Sequence, residues 1–229
     1  MHRLLCVLLP LAVVAADPTA KLKLAFSDEF DGAALDTTKW TYEGGSQAAS
    51  LKGGKLVLTL IDRTDGWQGT AISTRDKFTQ LHGYFEASIR FNAQRGHHGA
   101  FLVRNKTTTE PPAASLLFEC FGEDRIIPAA QVADNTGLRM LKPIKHGIEF
   151  DGGASYKKFH TYGVLWTPKY FEWYVDGKKV HRLEQKAVPT TPMYVEFCHH
   201  TAEGGKVKDF MDPTNGPEPL QVDWVKVWK

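Results

Sequence analysis

The chain has 229 residues and a formal net charge of +2, and its basic residues form no long block. That balance excludes the dense positive surface a nucleic-acid partner needs, so no nucleic acid is expected. A chain of this length buries most of its apolar surface and needs no disulfide or metal to fold.

The N-terminus reads Met1-His2-Arg3, then an apolar run from Leu4 to Val14, then Ala15-Ala16-Asp17. A basic start, a short apolar centre and small residues at the cut predict a secretory signal peptide over residues 1–16. The mature chain would begin at Asp17 and be secreted, or periplasmic in a bacterial host. The run is too short to span a bilayer, and no second run is long enough. No stable membrane insertion is therefore expected once the signal is removed. Cys6 would leave with it. Cys120 and Cys198 remain in strand-like segments, where a bridge or two separate buried thiols are both open. Neither cysteine shows metal-site spacing, and neither metal nor cofactor is expected. Asn105-Lys106-Thr107 fits a glycosylation acceptor.

Past Asp17 no long amphipathic helix emerges. Short apolar or alternating runs dominate, broken by Gly, Asp and Pro. Leu56 to Leu60 follows the turn Gly53-Gly54, and Tyr84 to Phe91 follows Gly83. Val164 to Trp166 ends at Thr167-Pro168. Tyr170 to Val175 runs into Asp176-Gly177, a strong tight-turn signal. Met193 to Cys198 and Val222 to Trp228 close the series. Many short strands joined by turns predict an all-β sandwich or jelly roll. Residues 17–229 form one domain on this reading, and a monomer is expected.

Several motifs occur together. Phe26-Ser27-Asp28-Glu29-Phe30-Asp31-Gly32 leads to Lys39-Trp40, and Gly83-Tyr84-Phe85-Glu86-Ala87 precedes Gly96-His97-His98-Gly99-Ala100-Phe101. Phe159 to Gly163, Trp166-Thr167-Pro168 and Tyr174 to Lys178 follow, and the chain closes on Val222-Asp223-Trp224-Val225-Lys226-Val227. In this order the set resembles glycoside hydrolase family 16, the laminarinase, lichenase and agarase group. The resemblance implies a concanavalin A-like β-jelly-roll sandwich of two curved antiparallel sheets. It also implies a β-linked polysaccharide or oligosaccharide, a β-glucan or galactan, lying across the concave sheet. The implied activity is retaining hydrolysis by two glutamates with an aspartate between them on one strand.

That strand reads Ala113-Ala114-Ser115-Leu116-Leu117-Phe118-Glu119-Cys120-Phe121-Gly122. Its tail matches the end of the family's catalytic strand, which puts Glu119 on the acid/base glutamate. If the strand is bulged, Ala114 takes the nucleophile's place and Leu116 the aspartate's. If it is regular, they are Ser115 and Leu117. Neither register supplies the nucleophile or the aspartate, because residues on one face of a strand alternate. A serine without a neighbouring base is a poor substitute. Hydrolysis would then be impaired, and the alternative is a polysaccharide-binding pseudoenzyme. Glu110, Glu123 and Asp124 are the nearby carboxylates that could stand in.

Further substrate contacts are expected from Trp67 at a cleft rim, from His98 and Arg104, and from Ser115. The competing reading of His97, His98 and Arg104 is a solvated loop. His199 and His200, adjacent on a strand, would point their rings to opposite faces. Trp166, Trp173 and Trp224 read as packing residues. A cleft strand expected between Thr136 and Gly153 has no firm place on His146 to Phe150.

Overall fold

The computed structural model describes residues 17–44, 46–64, 66–92, 94, 96–106, 114–121, 126–134, 137–141, 157–184, 189–201 and 218–229, with residues 132–134 and 137–141 as backbone only. The signal segment 1–16, Glu110, Glu123, Asp124 and His146 to Phe150 all lie outside these residues. Seventeen strands are described, in chain order: β1 (Leu24–Asp28), β2 (Thr41–Tyr42), β3 (Ala49–Leu51), β4 (Leu56–Leu58), β5 (Ile61–Arg63), β6 (Gly66–Gln68), β7 (Thr70–Ser73), β8 (Gly83–Arg90) and β9 (His97–Arg104). They continue with β10 (Ala114–Cys120), β11 (Ile127–Asp134), β12 (Gly137–Leu141), β13 (His160–Trp166), β14 (Tyr170–Val175), β15 (Lys178–Glu184), β16 (Tyr194–Thr201) and β17 (Leu220–Trp228).

The first sheet runs β15-β14-β13-β8-β17-β4-β3, with β1 also pairing β17. The second runs β12-β11-β10-β9-β16-β7-β2, and β5 and β6 form a separate ribbon. All described pairings are antiparallel. Sequence alternation decides what lies between the two sheets. Phe85, Ala87 and Ile89 of β8, with Tyr162, Val164 and Trp166 of β13, meet Phe101 and Val103 of β9 and Val195 and Phe197 of β16 in one buried core. Trp166 and Trp173 are packing residues, as expected, each about 1% exposed or less. In β17 the register shifts between Val222 and Trp224. That bulge lets Val222 and Val225 both face the core, although three positions separate them. Trp224 is turned outward, where Lys226 Nζ sits 4.7 Å from its ring centroid.

The conspicuous start of the domain has a structural cause. Asp28 Oδ2 accepts the Trp40 indole N–H at 2.8 Å, and Asp28 Oδ1 accepts the Phe30 backbone N–H at 2.9 Å. One carboxylate thus ties β1 to the turn that brings the fully buried Trp40 into the core. The β14–β15 hairpin uses Asp176 and Gly177, both at positive φ (48° and 72°), as a two-residue turn of this hand demands. Asp176 is a turn residue, and its carboxylate also accepts from His160 Nδ1 at 2.7 Å.

Candidate functional site

β10 is the strand on which the sequence left two registers open. Its pairing with β9 and β11 is continuous from Ser115 to Glu119, with no bulge. Ala114, Leu116, Phe118 and Cys120 therefore face the main core. Ser115, Leu117 and Glu119 share the opposite, outer face of the second sheet. The regular register is the observed one, and of those three residues only Glu119 carries a carboxylate.

Cross-strand register arranges this outer face into rows that run across the strands. One row holds Gln131, Ser115, Arg104 and Tyr194, and the next holds Ala129, Leu117, Leu102, Glu196 and Ser73. A third holds Ile127, Glu119, Ala100, Cys198 and Ala71. His98 and His200 pair in the row beyond. The two central rows make a floor of small and aliphatic residues, Ala71, Ala100, Leu102, Leu117, Ala129 and Cys198, packed as a second apolar cluster. Polar groups stand on either side of that floor.

On one side is Glu119. It is 6% exposed, and its Oε1 lies 3.5 Å from His98 Nε2. The His98 ring stacks on Phe121, with centroids 4.5 Å apart and planes 16° apart. His98 Nε2 is buried and has no hydrogen bond. On the other side Arg104 Nη1 reaches Glu196 Oε1 at 3.2 Å, while Arg104 Nε is buried without a partner. Burial pushes the Glu196 carboxyl above its ordinary value, against the pull of Arg104. Arg75 continues this wall. Its Nη1 lies 3.3 Å from Glu43 Oε2, its guanidinium sits 5.5 Å from the Tyr194 ring centroid, and Ser73 Oγ donates to Glu43 at 2.6 Å.

The structure brings together Glu119, His98, Arg104 and Ser115 of the expected contacts. Trp67 stands apart, half-buried in the β5–β6 ribbon. The ribbon ends at Gly69, where an added Cβ would collide with the His199 carbonyl, so it abuts the His200 end of β16. The solvated-loop reading of His97, His98 and Arg104 is overturned, since all three belong to β9. His97 faces inward, with its Nδ1 2.8 Å from His199 Nε2, and His199 Nδ1 donates to the Leu58 carbonyl at 2.8 Å. Burial lowers the His97 pKa to about 4 and that of His199 to about 3. His199 and His200 do face opposite ways. Cys120 and Cys198 are both free and lie on opposite faces of the sheet, which decides against the bridge. Asn105 is 3% exposed, accepts from Ala114 N–H at 3.1 Å and donates to Thr191 Oγ1 at 3.0 Å. In the folded chain its amide is thus engaged rather than presented as a glycosylation acceptor.

Glu196 is the residue sequence reasoning missed. Its signal was there: a lone charge among Tyr194, Val195, Phe197 and Cys198, on the parity of Cys198 rather than Phe197. Two strand spacings and one row separate it from Glu119, roughly 12 Å between Cα atoms. Each carboxylate has its own basic neighbour, His98 for Glu119 and Arg104 for Glu196. Ser115 lies between Arg104 and Gln131 in its row, with no general base beside it. What this face does offer is two carboxylates on different strands, Glu119 and Glu196, hydrogen-bonding walls and an apolar floor, a combination suited to holding a polyhydroxylated ligand.

Two antiparallel sheets packed around one core, with a polar row on the outer face of the second, define a concanavalin A-like jelly-roll domain. The chain belongs to the family described as Glycosyl hydrolases family 16, whose sequence model matches residues 34–226. It is 29% identical over 168 residues to the Endo-1,3-1,4-beta-glycanase EglC of Rhizobium meliloti (strain 1021), covering 72% of this chain and 34% of that protein. It is 28% identical over 179 residues to a Beta-glucanase of Acetivibrio thermocellus, covering 76% of this chain and 50% of that one. The chain thus spans half or less of the length of these relatives. In fold it is similar to the catalytic domain of an endo-1,3-beta-glucanase (laminarinase) from Thermotoga petrophila RKU-1, with a TM-score of 0.75, 18% identity, and coverage of 91% of this chain and 98% of that one.

Proposed function

We propose that this domain holds a β-linked glucan across the outer face of its second sheet, and that retaining hydrolysis there is impaired. The observation that carries the proposal is the regular register of β10, which puts Ser115, Leu117 and Glu119 on that face with a single carboxylate among them. Retaining glycosidases need a nucleophile and an acid acting together. Glu119 serves as acid or as hydrogen-bond acceptor, and His98, Arg104 and Ser115 line the path of the glycan. Trp67 is assigned to the rim at the His200 end. Family membership and the names of the relatives, beta-glucanases among them, support β-glucan as the ligand class. The proposal includes export, with a mature monomeric chain from Asp17. Among the described residues no helix is long and apolar enough to cross a membrane.

A second reading, a working β-glucan hydrolase, is favoured by the relatives' names and by the presence of Glu119. One pair of measurements separates the two. Affinity electrophoresis through laminarin and lichenan should show retardation, while reducing-sugar release from the same polymers stays at background. Robust release that disappears in Glu119→Gln would establish the hydrolase instead.

A further inference from the structure

Among the described residues, Phe121 is one of three large apolar residues that are clearly exposed, at 44%. Leu24 and Leu81, the other two, lie away from Glu119: Leu24 on β1 of the first sheet, and Leu81 in the turn that leads into β8. Phe121 directly follows β10 and continues the alternation of Ser115, Leu117 and Glu119, so it belongs to the outer face. One face of its ring is covered by the His98 imidazole in a near-parallel stack. The same imidazole reaches Glu119 Oε1 at 3.5 Å, and its Nε2 is buried with no hydrogen bond. An exposed aromatic, a buried nitrogen without a hydrogen bond and a nearly buried carboxylate thus meet at one end of the apolar floor.

We propose that Phe121, His98 and Glu119 form one pyranose-binding subsite, with Phe121 as its stacking platform. This inference rests on the β-glucan reading above and assigns the place and chemistry of one sugar ring within it. The axial C–H bonds of a β-linked glucose unit make an apolar face, which packs on the side of Phe121 that His98 does not cover. Aromatic rings bind such faces by dispersion and burial. A hydroxyl at the ring's edge bridges His98 Nε2 and Glu119 Oε1, giving the nitrogen the hydrogen bond it lacks. His98 acts twice: it braces Phe121 from behind and donates or accepts at the hydroxyl. The stack holds Phe121 in place before the ligand arrives, which reduces the ordering cost of binding. The subsite selects equatorially substituted β-glucosyl units, because an axial substituent would lift the ring off the platform.

Affinity electrophoresis in laminarin and lichenan tests this with wild type, Phe121→Ala, Phe121→Trp and Leu24→Ala. Phe121→Ala should weaken retardation roughly 3–10-fold, the effect of one aromatic stacking contact. Phe121→Trp should keep or strengthen it, and titration of that variant with laminarin should give a larger fluorescence change than wild type. Leu24→Ala, at a residue also exposed but on the first sheet, should match wild type. Wild type retarded as strongly as Phe121→Ala, with no added fluorescence response in Phe121→Trp, would overturn the subsite and leave glucan binding standing. Wild type unretarded in both polymers would overturn the binding proposal itself, and the subsite with it.

Discussion

Restoring the missing acids on β10 is the most direct test of the impaired-site reading. We predict that Ser115→Glu with Leu117→Asp creates measurable retaining hydrolysis, whereas Ala114→Glu with Leu116→Asp creates an unfolded protein. The structure separates the two pairs. Ala114 and Leu116 are 4% and 1% exposed and belong to the main core, where two unpaired acids each cost several kcal/mol. A domain of this kind has a margin of about 5–15 kcal/mol, and that pair would consume most of it. Ser115 is on the outer face between Arg104 and Gln131, so a carboxylate there gains a cation. Leu117 is fully buried in the small outer cluster, and its replacement costs about 2–5 kcal/mol of packing, with the burial of one carboxylate added to it rather than two. The double variant should therefore fold with a lowered urea midpoint, and Ser115→Glu alone should stay close to wild type. Turnover of labelled laminarin oligosaccharides, followed by chromatography, should rise at least ~10²-fold over wild type, the low end for one well-placed acid or base. Adding Glu119→Gln should cancel the gain. Strong turnover by wild type, lost in Glu119→Gln, would refute the reasoning at its root. A folded, active Ala114→Glu/Leu116→Asp variant would refute the register.

Three further predictions follow from the walls and the interior. Arg104→Ala leaves the Glu196 carboxyl without its cation and should cost about 1–3 kcal/mol in urea unfolding, while Glu196→Gln should cost less. Cys120 and Cys198 should resist alkylation in the native protein and both react in denaturant, with no mass change on reduction. His97 and His199 have folded pKa values of about 4 and about 3, below the unfolded value near 6.5, so the unfolded chain binds more protons as pH falls. Their contribution is intact above pH 6.5 and declines below it, by about 4 kcal/mol in total between pH 7 and pH 5. The carboxyls of Glu86 and Glu196, both raised mainly by burial, act in the opposite sense. Unfolding free energies at the two pH values, in wild type and His199→Gln, isolate the histidine part. An unchanged pH slope in the variant would exclude it.

Much of the fold was legible because alternation and turn chemistry are local signals. The strand runs at Tyr84, Tyr170 and Val222, and the Asp176-Gly177 hairpin, all appear where the pattern put them. The register of β10 was not legible, and the reason is physical. A strand buried on both faces loses its alternation, and Ala114 to Cys120 is buried at every position. Only its partners, Ala100 to Arg104 on one side and Ile127 to Val132 on the other, decide which residues face outward. His97 looked like part of a loop because Gly96 and Gly99 flank the His97-His98 pair. Gly99 is in fact a strand residue kept small by its neighbours: a Cβ there would come within 2.8 Å of Leu220 and 3.3 Å of Phe91. Glu196 could have been found from parity alone, had the strand been read for charge as well as for apolar content.

The two faces of β10 answer to different neighbours. Leu116, Phe118 and Cys120 pack against the first sheet, and Phe118 meets Tyr162 edge-on at 5.2 Å. Those contacts answer to packing, and they set the position of the strand whatever lies on the other side. Ser115 and Leu117 answer to a different neighbourhood, the small cluster around Ala100, Ala129 and Cys198. An aspartate at 117 would need polar company there, and none of the cluster residues supplies it. Leu117 and its neighbours therefore form a self-consistent apolar floor, more stable without a carboxylate than with one. The surrounding alanines and Cys198 fit the leucine. A double variant as stable as wild type should accordingly require a polar partner at Ala129, directly across from position 117, as well as the changes on β10. Adding Ala129→Asn to Ser115→Glu/Leu117→Asp tests this, because an amide across from position 117 should recover stability in urea relative to the double variant. No recovery would mean that the floor is indifferent to what stands on β10.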